Sequence, residues 1–232
     1  MVSIKVMGID EAGRGAVIGP LVVCGLVIED DKEEELRKIR VKDSKELTPE
    51  KREELAEKIE KIADNIIVLQ VSACTIDSMR RSGINLNQIE AMKMADAINM
   101  LLPEKVIIDL PSHNSKKFKD FLFSKLDEEA KKAEFILENY ADKNYTVVSA
   151  ASIIAKVERD KKINQLKKEF NYDFGVGYSH DERTIAFLEK LARENNGRMP
   201  RNVRTTWETV QEIIKKHQQK GLASFLSKLK FS

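Results

Sequence analysis

The amino-acid sequence predicts an α/β protein in which helices flank a mixed sheet and a helical appendage follows at the C-terminus. Three observations predict this fold class. Segments typical of strands are frequent near the N-terminus, they then alternate with helical segments, and the last part of the 232-residue chain contains helical segments only. The connections between the later strands and helices are short, which favours parallel pairing of those strands with the first one.

Five segments have the apolar runs and flanking turn residues that are typical of strands. Gly13 and Gly15 interrupt the pattern between the first segment and the second. The fourth segment contains the apolar run Val-Ile-Ile before its final Asp, which indicates a short buried strand. The predicted strands are residues 4–10, 20–29, 66–72, 105–109 and 134–138.

The predicted helices carry apolar residues at helical spacing and have recognisable ends. Thr48 followed by Pro49 is a typical helix start, and Pro103 ends the helix that precedes it. The predicted helices are residues 50–62, 86–102, 115–126, 149–170, 181–194, 206–218 and 222–229.

The composition is that of an ordinary soluble globular protein, with 42% hydrophobic and 34% charged residues. The longest apolar run, residues 21–28, is too short to span a bilayer, and the N-terminus does not resemble a secretory signal. We therefore expect a cytoplasmic protein without a membrane segment. Cys24 and Cys74 lack the close spacing of a metal knuckle or redox pair, and Cys24 lies in an apolar run, which predicts a buried, unreactive thiol.

The formal net charge of +2 conceals an uneven distribution along the chain. Residues 197–232 contain eight Arg or Lys and two Glu, a net charge of +6, so the preceding residues carry −4. A basic tail on a mildly acidic body suits a polyanionic partner. A solvated helical face is the alternative, and the charge pattern alone does not decide between them.

Four acidic residues occupy positions at which ligand sites form in α/β proteins. Asp10 and Glu11 end the first predicted strand, Asp109 ends the fourth, and Asp142 lies in a polar loop before a long predicted helix. Ligands gather at the C-terminal ends of strands, and parallel neighbours would bring Asp10 and Asp109 together. Any one such Asp, taken alone, is more often a cap or a turn former.

A close group of carboxylates is unfavourable unless a cation neutralises it. Oxygen ligands suit Mg²⁺ or Mn²⁺, and two such ions about 4 Å apart can promote hydrolysis of a phosphodiester. Side chains at successive strand positions point to opposite faces, so Asp10 and Glu11 converge only if the strand ends between them. Gly13 and Gly15 favour such an ending, and we expect it.

The residues around these carboxylates form motifs that resemble those of ribonuclease HII, the type 2 ribonuclease H. The opening motif is Gly-Ile-Asp-Glu-Ala-Gly-Arg-Gly at residues 8–15, followed by Gly19-Pro20. The resemblance covers about residues 4–207 and is highly specific. It continues in order through residues 43–47 (DSKEL), the VIID strand, Asp142 with residues 148–156 (VSAASIIAK), and residues 175–178 (GVGY).

The resemblance implies a ribonuclease H-like fold, with three antiparallel and two parallel strands packed between helices. We expect a ribonuclease H-like catalytic domain over residues 1–175 and a helical substrate-binding region over residues 176–232. The resemblance further implies an endonuclease that hydrolyses the RNA strand of RNA–DNA hybrids and cuts 5′ to ribonucleotides embedded in duplex DNA. Two Mg²⁺ or Mn²⁺ ions would serve the reaction, which leaves 5′-phosphate and 3′-hydroxyl ends. The catalytic, metal-binding carboxylates would be Asp10, Glu11, Asp109 and Asp142, with Asp10 as the bridge between the ions.

The same resemblance implies which residues contact the substrate. Gly13-Arg14-Gly15 matches the family turn that reads the RNA–DNA junction, and glycines allow a backbone to approach a sugar closely. Tyr178 matches a tyrosine that stacks on the sugar, and a half-buried loop aromatic is the alternative. Lys45 and Lys156 match lysines near the phosphates or the metal site, and either could instead pair with a carboxylate.

Other residues near these motifs have no assigned part. Ser149 and Ser152 fall at the start of a predicted helix, where they cap it or help to hold a phosphate. His180 follows Tyr178 closely, but a solvated loop histidine is the simpler interpretation. Ala16 departs from the proline that many family members have after Gly-Arg-Gly, and this change removes no acidic residue.

Two other functions stay open from the sequence. The first is another nuclease on the same fold, such as a DNA exonuclease or a junction-resolving enzyme. The second is a non-catalytic hybrid-binding protein whose carboxylates hold a structural ion. A duplex with one ribonucleotide, tested beside an all-DNA control, separates these possibilities. Nothing in the sequence demands a partner subunit, so we expect a monomer.

Overall fold

The computed structural model describes residues 3–41, 48–111 and 115–229. The strands within these residues are β1 (Lys5–Ala12), β2 (Leu21–Glu29), β3 (Asn65–Val71), β4 (Lys105–Asp109) and β5 (Glu134–Glu138). The helices are α1 (Glu33–Lys38), α2 (Pro49–Ile62), α3 (Ala73–Arg81), α4 (Leu86–Leu101), α5 (Ser115–Phe123), α6 (Ala141–Asn144), α7 (Thr146–Phe170), α8 (Glu182–Glu194) and α9 (Glu208–Leu229). None of the described helices combines the length and apolar character that crossing a bilayer requires.

The strands form one sheet with the order β3-β2-β1-β4-β5. β1 pairs with β2 in antiparallel orientation, which sets Asp10 opposite Cys24. β1 pairs in parallel with β4, and β4 pairs in parallel with β5. The predicted mixed sheet of five strands is therefore confirmed, and the carboxyl ends of β1 and β4 lie at the same edge.

The chain divides into two compact units. The first, called here the sheet unit, comprises Met1–Arg14, Leu21–Gln70 and Ile84–Lys161. The second, called here the helical unit, comprises Gly15–Pro20, Val71–Gly83 and Lys162–Ser232. These units follow contacts between residues rather than chain order. They do not test the functional division expected at residue 175, which stays a prediction.

In the sheet unit, the first turn of α7 lies against β1 at very close range. A Cβ atom added to Gly8 would be 2.5 Å from the carbonyl carbon of Val147, so the two segments meet main chain to main chain. Ala151 and Ala155 of α7 are buried in the same core as Val22 and Leu26 of β2. The missing side chain of Gly8 and the small side chains of α7 thus allow the start of α7 to lie beside β1, the strand that carries Asp10 and Glu11.

The helical unit has its own core of aromatic and aliphatic side chains. Phe174 stacks on Phe187, with 5.4 Å between the ring centroids. Arg204 is fully buried, donates from Nε to the carbonyl oxygen of Gly19, and lies over the ring of Trp207. The only tryptophan in the chain therefore packs within this unit.

Several helix boundaries differ from those expected. α7 begins at Thr146 rather than at residue 149, and the two helices expected over residues 206–229 are one helix, α9. α1, α3 and α6 were not expected, because segments of six, nine and four residues are too short to show a clear helical period. The expected start of α2 is confirmed, since the Thr48 side chain accepts a hydrogen bond from the Lys51 amide.

Candidate active site

Three carboxylates of the sheet unit come together at the carboxyl edge of the sheet. Asp10 lies on β1, Asp109 ends β4, and Asp142 lies in α6, which follows β5. One carboxylate oxygen from each residue lies within 4.8 Å of the other two. The strand topology brings Asp10 and Asp109 together, because β1 and β4 are parallel neighbours.

Backbone contacts fix Asp109 and Asp142. An Asp109 carboxylate oxygen accepts a hydrogen bond from the Ala141 amide at 3.0 Å. Just before Ala141, Tyr140 has a φ of 64°, a left-handed conformation that a non-glycine residue adopts at some cost. The hydroxyl of Ser149 donates to the backbone carbonyl of Asp142. The sharp turn between β5 and α7 thus holds Asp142 near the end of β4.

A chain of side chains from α7 holds Asp10. The Ser152 hydroxyl hydrogen-bonds to the Asp10 carboxylate, and Lys156 Nζ donates to Ser152 Oγ at 2.8 Å. Burial raises the pKa of Asp10 to about 6, the Ser152 hydrogen bond opposes this change, and the charge of Asp109 adds to it. Lys156 thus contacts Asp10 through the Ser152 hydroxyl, and its positive charge lowers the pKa of Asp10.

Glu11 lies beside this group in an arrangement that differs from the one expected. β1 continues through Glu11 to Ala12, so the expected strand end between Asp10 and Glu11 is wrong. Burial and the neighbouring charge of Asp10 raise the pKa of Glu11 well above its usual range. Its Oε2 atom is buried and has no hydrogen-bond partner among the described residues.

The arrangement of Asp10, Asp109 and Asp142 fits a divalent cation. Burial disfavours the ionised form of a carboxyl group, and carboxylates at close range also repel one another, so the pKa values of Asp10 and Glu11 are raised. A hard cation removes the repulsion and prefers oxygen ligands. The buried Oε2 atom of Glu11 offers such a ligand without losing a hydrogen bond seen in the structure.

The α7 side chains hold the carboxylates of this site, a part that was not predicted for them. Their position at the start of a helix predicts that Ser149 and Ser152 cap it or contact a phosphate, whereas their hydroxyls hydrogen-bond to the Asp142 carbonyl and to Asp10. Their spacing of three residues, followed by Lys156 after four more, places all three on one helical face. That spacing was the signal available in the sequence.

The expected substrate turn is divided between the two units. Gly13 has a φ of 85°, which a residue with a side chain rarely adopts. Arg14 belongs to the sheet unit, where its guanidinium hydrogen-bonds to the Glu90 carboxylate and, at 2.6 Å, to the Asn87 side chain. Gly15 belongs to the helical unit, and a Cβ atom added there would meet no atom within 4 Å.

Tyr178 belongs to the helical unit and is stacked on His180, with ring centroids 5.4 Å apart. It forms an isolated β-bridge with Ala16, and the preceding residue, Gly177, accepts hydrogen bonds from the amides of Val17 and Ile18. Within this unit, the segment after Gly15 is therefore joined to the tyrosine. Lys45 and His113 lie outside the described residues.

Two further residues lie outside this group. His217 pairs with Glu189 in the helical unit. Cys24 is fully buried, and burial raises the pKa of its thiol, so the expected unreactive thiol agrees with the structure.

Comparison with known proteins identifies the family of the chain. The family model for ribonuclease HII matches residues 7–210. The ribonuclease HII of Methanosarcina acetivorans is 41% identical over 220 residues, which cover 93% of this chain and 98% of that protein. The crystal structure of the ribonuclease H2 from Pyrococcus horikoshii superposes with a TM-score of 0.84 at 42% identity, over 93% of this chain and 99% of that chain.

A more distant structure shares the fold. It is Bst-RNase HIII in complex with Mn²⁺, with a TM-score of 0.77 at 21% identity over 93% of this chain and 71% of that one. At this identity the likeness supports the ribonuclease H-like fold alone. From the family model and the curated relatives it follows that the chain belongs to the ribonuclease HII family, endoribonucleases that need a divalent metal ion.

Proposed function

We propose that this protein hydrolyses the RNA strand of RNA–DNA hybrids and cuts 5′ to ribonucleotides embedded in duplex DNA, leaving 5′-phosphate and 3′-hydroxyl ends. The observation that carries the proposal is the convergence of Asp10, Asp109 and Asp142 beside the buried Glu11 oxygen. Membership of the ribonuclease HII family supports it.

In this proposal Asp10, Glu11, Asp109 and Asp142 would hold two Mg²⁺ or Mn²⁺ ions, and Asp10 would be a ligand to both. Bound ions of this kind supply positive charge at the phosphodiester and make water a better nucleophile. The protein contributes position, because Ser152 orients the Asp10 carboxylate and the Ala141 amide orients Asp109. Lys156 adds a positive charge near the incoming phosphates.

We further propose that Gly13-Arg14-Gly15 and Tyr178 read the junction at the ribonucleotide. Glycine at position 15 is required neither by a close contact nor by a positive φ. Its missing side chain would instead leave room for the sugar of the ribonucleotide and its 2′-hydroxyl. Residues 176–232 would bind the duplex backbone, and the net charge of +6 on residues 197–232 supports a salt-dependent contact of this kind. Lys45 would contact the phosphates.

A duplex that contains one ribonucleotide should be cut on its 5′ side, in Mg²⁺ or Mn²⁺, while an all-DNA duplex of the same sequence stays intact. The reason is that the proposed turn distinguishes the 2′-hydroxyl and not the base. Denaturing gel electrophoresis of end-labelled strands, with end-group analysis, measures the position and the ends of the cut.

The same experiment separates the alternatives. Cutting of the all-DNA duplex would point to a different nuclease on this fold. Binding of the mixed duplex without any cut, across a series of both metals, would point to a binding protein with a structural ion. Either result contradicts the proposal.

Metal binding should weaken as the pH falls below about 6. Burial raises the pKa of Asp10 from 3.8 to about 6, so this carboxyl group is protonated below that value and ionised above it. Protons therefore compete with the cation below about pH 6, and the competition fades as the pH rises above that value. Isothermal titration with Mn²⁺ should show an affinity about tenfold lower at about pH 5 than at about pH 7. Equal affinities would contradict the assignment of Asp10 as a ligand.

A further inference from the structure

We infer that Glu90, a buried residue of α4, is a positioning residue that holds Arg14 for recognition of the substrate. This inference rests on the proposed function, because it assigns a partner to the arginine of the proposed substrate turn. Arg14 lies in the motif of residues 8–15, whereas Glu90 lies in a helix to which no part in the site has been assigned.

The contact is made by both terminal nitrogens of the guanidinium. Arg14 Nη1 pairs with Glu90 Oε2, and Arg14 Nη2 donates to Asn87 Oδ1 at 2.6 Å. The side chain of Glu90 is 0% exposed, and that of Arg14 is 31% exposed. A planar guanidinium held at two nitrogens has a defined orientation, so α4 sets the direction in which the partly exposed side of Arg14 faces.

The two acceptors belong to one rigid helical face. Asn87 and Glu90 are three residues apart, a spacing that places their side chains side by side on a helix. The first turn of α4 is closed by a capping box, in which the Asn85 side chain accepts from the Gln88 amide and the Gln88 side chain accepts from the Asn85 amide. The acceptors therefore do not depend on a loop for their position.

A buried glutamate at position 90 is energetically unfavourable if the side chain only fills space in the core. A buried ion pair is weak support for stability, because removing both charges from water offsets most of their attraction. The second carboxylate oxygen, Glu90 Oε1, is buried and has no hydrogen-bond partner among the described residues. An apolar residue would fill the same volume without that cost. The charge acts on the orientation of Arg14.

The position of Arg14 also matters for the carboxylate group. The positive charge of Arg14 lies within electrostatic reach of the Glu11 carboxylate. Two carboxylates therefore attract the same guanidinium, one from α4 and one from β1. The contact with Glu90 and Asn87 keeps the guanidinium on α4, where it can meet the substrate while Glu11 stays available to a cation.

The experiment compares wild-type protein with Glu90→Gln in steady-state cleavage of a duplex that contains one ribonucleotide. Glutamine keeps the size of the side chain and removes its charge. We expect KM to rise about tenfold, with a smaller change in kcat, because one hydrogen bond to a charged group is weakened in substrate recognition. Asn87→Ala should change KM in the same direction and serves if Glu90→Gln does not fold.

A double-mutant cycle shows whether Glu90 acts through Arg14. In an Arg14→Ala background, Glu90→Gln should raise KM no further. The matched control is Asp160→Asn, which removes the partner of Arg52 in another ion pair of the sheet unit and should leave KM unchanged. An unchanged KM in folded Glu90→Gln, or equal effects of Glu90→Gln with and without Arg14, would overturn the inference. If wild-type protein does not cut the duplex, the proposed function fails instead.

Discussion

Asp10→Asn should reduce the rate of cleavage at least about a thousandfold while leaving the affinity for an RNA–DNA hybrid close to that of the wild type. Asparagine keeps the shape of the side chain and the hydrogen bond that Asp10 Oδ1 accepts from the Glu11 amide. It removes the charge that the proposed shared ligand needs. The rate under single turnover and the binding of hybrid in Ca²⁺ together measure the two effects.

The fold of this variant can be tested in the same preparation. Replacing one of several buried, mutually repelling carboxylates should not lower the thermal midpoint of the metal-free protein. Asp120→Asn is the matched control, because Asp120 is an exposed residue of α5 outside the carboxylate group, and its cleavage rate should equal that of the wild type. A rate near the wild type for folded Asp10→Asn would rule out the proposed metal site.

Gly8→Ala should lower the free energy of unfolding by about 3 kcal/mol. A Cβ atom at this position would lie 2.5 Å from the carbonyl carbon and oxygen of Val147, and these are backbone atoms that cannot rotate away. The start of α7 must then shift, and Ser149, which holds the Asp142 carbonyl, must shift with it. We expect weaker metal binding along with the loss of stability. Chemical denaturation followed by circular dichroism measures the free energy of unfolding.

Gly15→Ala is the appropriate control for this substitution. A Cβ atom at Gly15 would meet no atom within 4 Å, and Gly15 has no positive φ, so its stability should match that of the wild type. Equal stability of Gly8→Ala and the wild type would show that α7 does not approach β1 as closely as the structure indicates.

The parts of the site that the sequence predicted are those set by strand order. Asp10 and Asp109 could be placed together because each ends a strand and parallel neighbours end at one edge of a sheet. Asp142 was a candidate because it lies in a polar loop before a long predicted helix, and the family resemblance implied its role as a ligand. The position of Glu11 could not be predicted from side-chain alternation, because β1 continues through it and yet its carboxylate feels the charges of Asp10 and Asp109.

Tertiary contacts determine what the sequence did not reveal. Glu90 lies 76 residues from Arg14, and a glutamate within a helix is ordinarily expected to face water. Glycine and asparagine are the residues that commonly indicate a left-handed turn. Residue 140 is a tyrosine, so its left-handed conformation could not be predicted from the sequence. The two helices expected at the C-terminus are one helix, because Gly221 is the only strong helix breaker between them.

The carboxylate group consists of residues that are far apart along the chain, one on β1, one on β4 and one after β5. Residues this far apart in the sequence form one site only when the sheet and the turn after β5 are assembled. A divalent cation at this site therefore binds the folded chain in preference to the unfolded one. It stabilises the folded state by an amount that grows with the concentration of the free ion.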